Sequence, residues 1–206
     1  MGKGNHKTDI PKAHDENVPP SAENLARAAS AATKKGHPPV HLWNPPFCGD
    51  IDIRIARDGT WYYLGTPIGR EALVKLFSSV LKKEDGKYYL VTPAEKVGIR
   101  VEDAPFVAID FSTEGEGRDQ NVTFRTQVDD EAVAGPEHKI RVSRDAQTGE
   151  PSPYVMIRSG LEALIDRKSF YRLVELGCEE QVTGIRYFGL WSGGIFFPFI
   201  PAADLV

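Results

Sequence analysis

Residues 50–81, DIDIRIARDGTWYYLGTPIGREALVKLFSSVL, constrain this chain more than any other stretch, because a strand, a turn, a second strand and a helix follow one another there. Ile51, Ile53 and Ile55 alternate with Asp52, Arg54 and Ala56. That period of two gives a strand one apolar and one polar face. Asp58-Gly59 reads as a tight type I′ hairpin turn, and Trp61-Tyr62-Tyr63-Leu64 is the bulky return strand that follows such a turn. From Arg70 onward, Leu73, Val74, Leu76, Phe77, Val80 and Leu81 keep the i, i+3, i+4, i+7 spacing of a helix with one buried face. The stretch is a β-β-α unit with no chemistry of its own.

The same pattern restarts later. Ile53-Arg54-Ile55-Ala56-Arg57-Asp58 is echoed by Ile140-Arg141-Val142-Ser143-Arg144-Asp145, and Arg70 with Leu73, Leu76 and Phe77 is echoed by Arg167 with Phe170, Leu173 and Val174. One such match would be weak; two in the same order indicate an internal repeat. The extra residues between them fit a wider second hairpin at 146–153, returning along 154–157. Asp166 is placed to cap the second helix, which should stop near Gly177, and strands are expected at 183–190 and 195–199 around Ser192-Gly193-Gly194. Further strands are expected at 87–92, 97–101, 106–111 and 121–127. The first two should pair back onto the first hairpin. Upstream, residues 1–18 read as a solvated tail, and Ser21 as the N-cap of an Ala-rich helix that Gly36-His37-Pro38-Pro39 ends. With Leu25 as its one large apolar residue, that helix lies on the body or projects from it. The segment 40–48 is read as a packed, extended lead-in. The fold class is α+β, two related β-rich halves each bracing a sheet with one helix.

Composition excludes several functions. Lys and Arg number 25 against 29 Asp and Glu, a net charge of −4 that offers no global field for nucleic acid or anionic lipid. No apolar run approaches a membrane span and the N-terminus lacks a signal-peptide core, so a cytoplasmic location is expected. Cys48 and Cys178 are far apart and read as small core residues. The histidines show no ligand spacing, so no metal is expected, and no cofactor is indicated. Catalytic residues are not evident: Ser192 reads as a turn and misses the nucleophile elbow, and Glu102-Asp103 should point to opposite faces of an extended chain, with Asp103 capping a turn. Enzyme function is therefore disfavoured.

What could bind is an anion. Arg54 and Arg141 lie on matched strands, Arg57 and Arg144 at their ends, and Arg70 and Arg167 at matched helix starts. Guanidinium forks suit phosphate; paired with nearby Asp, the same arginines would be ordinary surface charges. Gly65-Thr66-Pro67-Ile68-Gly69 could deliver free N–H groups at a helix entrance, with Thr66 and Arg70 beside the anion, although it lacks the Walker A ending and also fits a plain strand-to-helix turn. Arg70 is the strongest candidate, and Tyr63 is an aromatic able to stack on a ligand.

Val91-Thr92-Pro93-Ala94-Glu95-Lys96, Val101-Glu102-Asp103-Ala104-Pro105-Phe106, Trp43-Asn44-Pro45-Pro46, Cys48-Gly49-Asp50 and Gly65-Thr66-Pro67-Ile68-Gly69-Arg70 resemble a bacterial family catalogued as domain of unknown function 1285. The resemblance spans about residues 40–200. It implies a duplicated core, a C-terminal half resembling a pleckstrin-homology-like fold, and a nucleotide-like ligand held between the halves in signal transduction. It brings no catalytic residues. The expected organisation is a tail and short helix at 1–35, an N-terminal repeat domain at 36–103 and a C-terminal repeat domain at 104–206. The function expected is a binding module or sensor for a small anionic ligand. An enzyme acting on a phosphorylated substrate, or a scaffold for a protein partner, is the alternative.

Overall fold

The structure is a computed structural model and describes residues 21–33 and 38–205. The tail at 1–18 and the helix exit at Gly36 and His37 lie outside the described residues. Helix α1 (Ala22–Ala32) is capped by Ser21, whose side chain accepts the Asn24 N–H. It lies on the body: Leu25 and Ala29 are fully buried and belong to the core. Its small residues, Ala26 and Ser30 among them, face the helix at Glu71–Ser79. The lead-in is a single 3₁₀ turn at Val40–Leu42, and it is looser than expected, since Leu42 and Phe47 are exposed. Cys48 and Cys178 are exposed as well, which corrects their reading as core residues. Cys48 sits where the ladder of its strand shifts register, and Cys178 opens an outer strand of its sheet.

The first half is built from β1 (Phe47–Ile55), β2 (Trp61–Tyr63), β3 (Thr66–Pro67), α2 (Glu71–Ser79), β4 (Leu81–Glu84), β5 (Lys87–Val91) and β6 (Lys96–Val101). They form one sheet in the order β3-β2-β1-β6-β5-β4, with β6 returning parallel to β1. Ile51, Ile53 and Ile55 point inward as the alternation requires, and Trp61 stacks on Phe77 of α2 with ring centroids 6.3 Å apart. Burying an aliphatic or aromatic side chain of this size stabilises by about 1.5–3 kcal/mol, which is ample to hold a nine-residue helix whose isolated form would be marginal.

The second half opens with three strands that the first lacks: β7 (Phe106–Glu114), β8 (Asn121–Thr126) and β9 (Glu131–Val133). Its repeated elements follow as β10 (Ile140–Arg144), β11 (Pro151–Arg158), β12 (Leu161–Ile165), α3 (Arg167–Glu175), β13 (Cys178–Val182), β14 (Ile185–Ser192) and β15 (Ile195–Pro201). The order β-β-β-α-β-β-β thus occurs twice. Matched strings occupy matched strands: Arg54 faces Tyr62 across β1 and β2, and Arg141 faces Tyr154 across β10 and β11. The turns match too. Leu64-Gly65 and Ser159-Gly160 close the second hairpins, Asp85-Gly86 and Thr183-Gly184 the hairpins after the helices, all with positive φ at both residues. These are type I′ turns, as is Gly193-Gly194 between β14 and β15.

The sequence expectation placed a type I′ turn at Asp58-Gly59 instead. There, Ala56 pairs with Thr60 and only Gly59 has positive φ, at 84°. The loop is three residues long, a type I turn closed by a left-handed glycine, and Asp58 accepts the Thr60 N–H at 2.9 Å. The helix match is also displaced by one residue. Arg70 is the N-cap of α2, whereas Asp166 is the N-cap of α3 and Arg167 its first residue. Fully buried Phe77 therefore corresponds to fully buried Leu173.

The halves differ in closure. β12 pairs parallel with β7, giving the sheet β10-β11-β12-β7-β8-β9, while β13-β14-β15 form a separate sheet with β15 beside β10. One continuous cluster of buried side chains nevertheless runs from Leu25 through Ile53, Phe77, Phe106 and Val155 to Phe199.

Candidate ligand-binding cleft between the halves

The tip of the β1–β2 hairpin is the point where the first half enters the second. A Cβ on Gly59 would lie 2.9 Å from Val107 Cγ2 and 3.0 Å from Gln127 Nε2, so glycine is needed there for close approach as well as for its φ. Next to it, Arg57 Nη2 donates to Ser152 Oγ at 2.9 Å and Arg57 Nε lies 3.5 Å from Asp103 Oδ2. The Arg57 backbone N–H donates to Glu102 Oε2. Tyr154 completes the arrangement by donating its hydroxyl to Asp103 Oδ1 at 2.8 Å, and burial, with the Asp103 bond second, raises the phenol pKa.

Glu102 and Asp103 thus converge on one hairpin tip, contrary to the expectation that they point apart. The chain leaves β6 at Val101, so strand alternation no longer governs them. Glu102 also takes a hydrogen bond from Arg54 Nη1 at 2.5 Å, while Arg54 lies 4.0 Å from the centre of the Tyr62 ring. The second half repeats this device. Arg141 grips Glu162 through two bonds of 2.7 Å and lies 4.0 Å from the Tyr154 ring centre. The hydrogen bonds to Glu162 raise the Arg141 pKa above its ordinary value.

Beside this network lies a cavity of about 220 Å³ lined by Arg57 of the first half and by Glu150, Ser152, Arg167, Phe170 and Tyr171 of the second. Arg167 Nε donates to the Tyr171 hydroxyl at 3.0 Å, one helical turn away. Asp166 also lines the cavity, but its Oδ1 accepts the Ser169 N–H at 2.7 Å as the helix cap. Two guanidinium groups, a hydroxyl, a phenol and an aromatic wall therefore face one small space, with Glu150 as the opposing charge.

Of the eight residues singled out in the sequence, the structure brings Arg57 and Arg167 to this cavity and joins Arg54 and Arg141 to Arg57 through Glu102, Asp103 and Tyr154. The other four stand elsewhere. Arg144 donates to the Gly149 carbonyl of its own hairpin, Tyr63 is half-buried against the core, and Thr66 is exposed on the edge strand β3. Arg70 lines a separate groove between α1 and α2 with Ala26, Ser30 and Leu73. Sequence reasoning missed Ser152 and Tyr171. Tyr171 was readable as the i+4 neighbour of Arg167 on a helix; Ser152, between two prolines, carried no signal. Among the described residues no group of three His, Cys, Asp or Glu could hold a metal ion, and no helix is long and apolar enough to cross a membrane.

Comparison with known proteins places the chain in a family. The model of the DUF1285 N-terminal domain matches residues 38–104, and that of the DUF1285 C-terminal domain matches residues 105–199. A crystal structure of a DUF1285 family protein from Silicibacter pomeroyi DSS-3 is 60% identical, with a TM-score of 0.80 over 87% of this chain and 96% of that one. A second, from Shewanella baltica OS155, is 28% identical over 60% of this chain and 90% of that one, with a TM-score of 0.47. None of the curated proteins matches.

Proposed function

We propose, from the premise that the chain belongs to the DUF1285 family, that it is a binding module holding a small anionic ligand in the cleft between its two halves. The observation that carries this reading is that Arg57 and Arg167, contributed by different halves, line one cavity together with Ser152 and Tyr171. Size narrows the ligand. Pockets for drug-sized ligands hold about 300–1,000 Å³, so a cavity of about 220 Å³ takes a phosphate group with a small appendage and not a whole nucleotide. A nucleotide-like ligand would seat its phosphate here and leave its base outside.

Guanidinium groups on both sides of the cleft suit a phosphomonoester, because each fork donates two parallel bonds to phosphate oxygens. A ligand touching both halves favours the arrangement in which they are joined, which is how such a module would report its ligand in a signalling role. Titration calorimetry with inorganic phosphate, phosphoserine and adenosine monophosphate is the test. Saturable binding of at least one is expected, with Arg57→Ala and Arg167→Ala each weakening it tenfold or more and Arg70→Ala leaving it unchanged. Heat absent with all three ligands, or dependence on Arg70 alone, would refute the cleft as the site.

A further inference from the structure

The cleft that Arg57 and Arg167 line changes character from mouth to floor. Arg57, Glu150, Arg167 and Tyr171 are exposed, whereas Pro153 is buried and Leu164 and Phe170 are half-buried. The elements aim these residues at one space. Leu164 stands opposite Tyr154 in the β11–β12 ladder and shares its face of the sheet, and Tyr154 reaches Asp103 at the hairpin tip. Arg167, Phe170 and Tyr171, three and four residues apart, share one face of α3. Phe170 is backed by Phe199, with ring centroids 5.8 Å apart. The half-buried polar groups are occupied: Ser152 Oγ accepts from Arg57, and the Asp166 carboxylate caps the helix. Charge therefore rings the mouth of the cleft, and its floor is hydrocarbon.

We infer that the ligands of this cleft are small aryl phosphomonoesters seated ring first, which rests on the reading of the cleft as a phosphate site. The ring lies on Pro153, Leu164 and Phe170, and the phosphate stays at the mouth between Arg57 and Arg167. Among the described residues the Arg167 guanidinium donates through Nε alone, to Tyr171, so both of its terminal nitrogens are left for phosphate oxygens. A hydroxyl-rich body such as glycerol or ribose would give up its water on this floor without gaining partners. A flat ring loses nothing there and brings no rotors to immobilise. A cavity of about 150 Å³ accommodates one six-carbon ring, so about 220 Å³ takes a ring and its ester oxygen but not a nucleobase with its ribose. Glu150 at the mouth opposes a second anionic group, which favours a monoester over a diphosphate. Because the ring edge opposite the phosphate meets the floor, a substituent there is excluded. Phosphotyrosine, whose amino acid is attached at that edge, is therefore not a ligand of this kind.

Titration calorimetry of the full chain with phenyl phosphate, glycerol 3-phosphate, phosphotyrosine and inorganic phosphate tests the seating. Phenyl phosphate should bind about tenfold or more tighter than the other three, from the apolar area of its ring. Leu164→Thr, close in size and suited to a strand, should weaken phenyl phosphate about fivefold and leave inorganic phosphate unchanged, which also reports that the variant is folded. Should Leu164→Thr fold poorly, nuclear Overhauser contacts between the ring protons of phenyl phosphate and the Leu164 methyl groups of the parent read the same seating. Phosphate binding that depends on Arg57 and Arg167 but shows no preference for phenyl phosphate over glycerol 3-phosphate or phosphotyrosine overturns this inference and leaves the cleft reading standing. So does a preference for phenyl phosphate that survives in Leu164→Thr. No binding of any of the four overturns both.

Discussion

The two halves share an order of elements but use one matched position in opposite ways. Tyr63 and Arg158 each end the strand before a type I′ turn, facing Thr66 and Leu161 respectively. Tyr63 packs on the core of its own half. Arg158 pairs with Asp130 and lies 4.9 Å from the centre of the Phe106 ring within the second half, and reaches out of it to donate to the Ser78 carbonyl at the end of α2 at 2.7 Å. Burial lowers its pKa to about 10, which leaves it charged at neutral pH. A duplicated unit becomes an asymmetric pair when one copy turns a core position into a grip on the other.

That contrast is broken most severely by Arg158→Met. The methionine keeps the apolar stem but takes the guanidinium charge away from Asp130, itself 7% exposed, and removes one of the donors to the Ser78 carbonyl. Breaking a buried pair on one side costs about 3–5 kcal/mol, whereas Tyr63→Met should cost about 1 kcal/mol. Urea unfolding measures both. Equal losses would mean that the grip contributes nothing beyond packing.

A smaller effect separates the two first hairpins. Gly59 and Gly149 both have positive φ at their turns, 84° and 71°, but a Cβ on Gly149 meets nothing within 4 Å. Gly149→Ala should cost about 1 kcal/mol of backbone strain alone. Gly59→Ala adds contact with Val107 and Gln127 and should cost about 2–3 kcal/mol, read as the difference in urea midpoints. If the two substitutions cost the same, the tip is not wedged between the halves.

These elements show where the sequence could be read and where it could not. Ile53 and Ile140 announce matched strands because alternation is a local property, visible without knowing the partner strand. Helix register was misread by one residue because arginine was matched to arginine, while the backbone matches Arg70 to Asp166, a capping relation that side-chain identity conceals. β3 is only two residues long, and β13, with the sequence CEEQV, has no apolar alternation, so neither left a signal. The cleft was legible in part. Arg57 and Arg167 could be proposed from the repeat, but their meeting at one cavity depends on how the second half curls around the hairpin tip, which only long-range packing decides. A buried indole such as Trp61 is expected in any core, and its missing hydrogen-bond partner becomes visible only in three dimensions.

The smallest expected effect concerns acid. Asp58 and Asp145 are matched residues at the two first hairpins, and both carboxyls lie below the usual range of about 3.9. Hydrogen bonding from the Thr60 N–H is the main cause for Asp58, and the Thr148 and Gln147 N–H groups for Asp145. A carboxylate whose folded pKa is depressed contributes stability that is fully present above its unfolded pKa and is lost as pH falls through the folded value. Both hairpins should therefore weaken below about pH 4, and Asp145, bound by two backbone N–H groups and the Thr148 hydroxyl, should dominate. Replacing each with Asn keeps an acceptor oxygen and removes the titration. The melting temperature of Asp145→Asn should fall less steeply between pH 4 and pH 2 than that of the parent, with Asp58→Asn showing the same change more weakly. If Asp58→Asn flattens the profile more than Asp145→Asn, then the hairpin wedged between the halves, and not the one with more donors, is where acid first loosens the molecule.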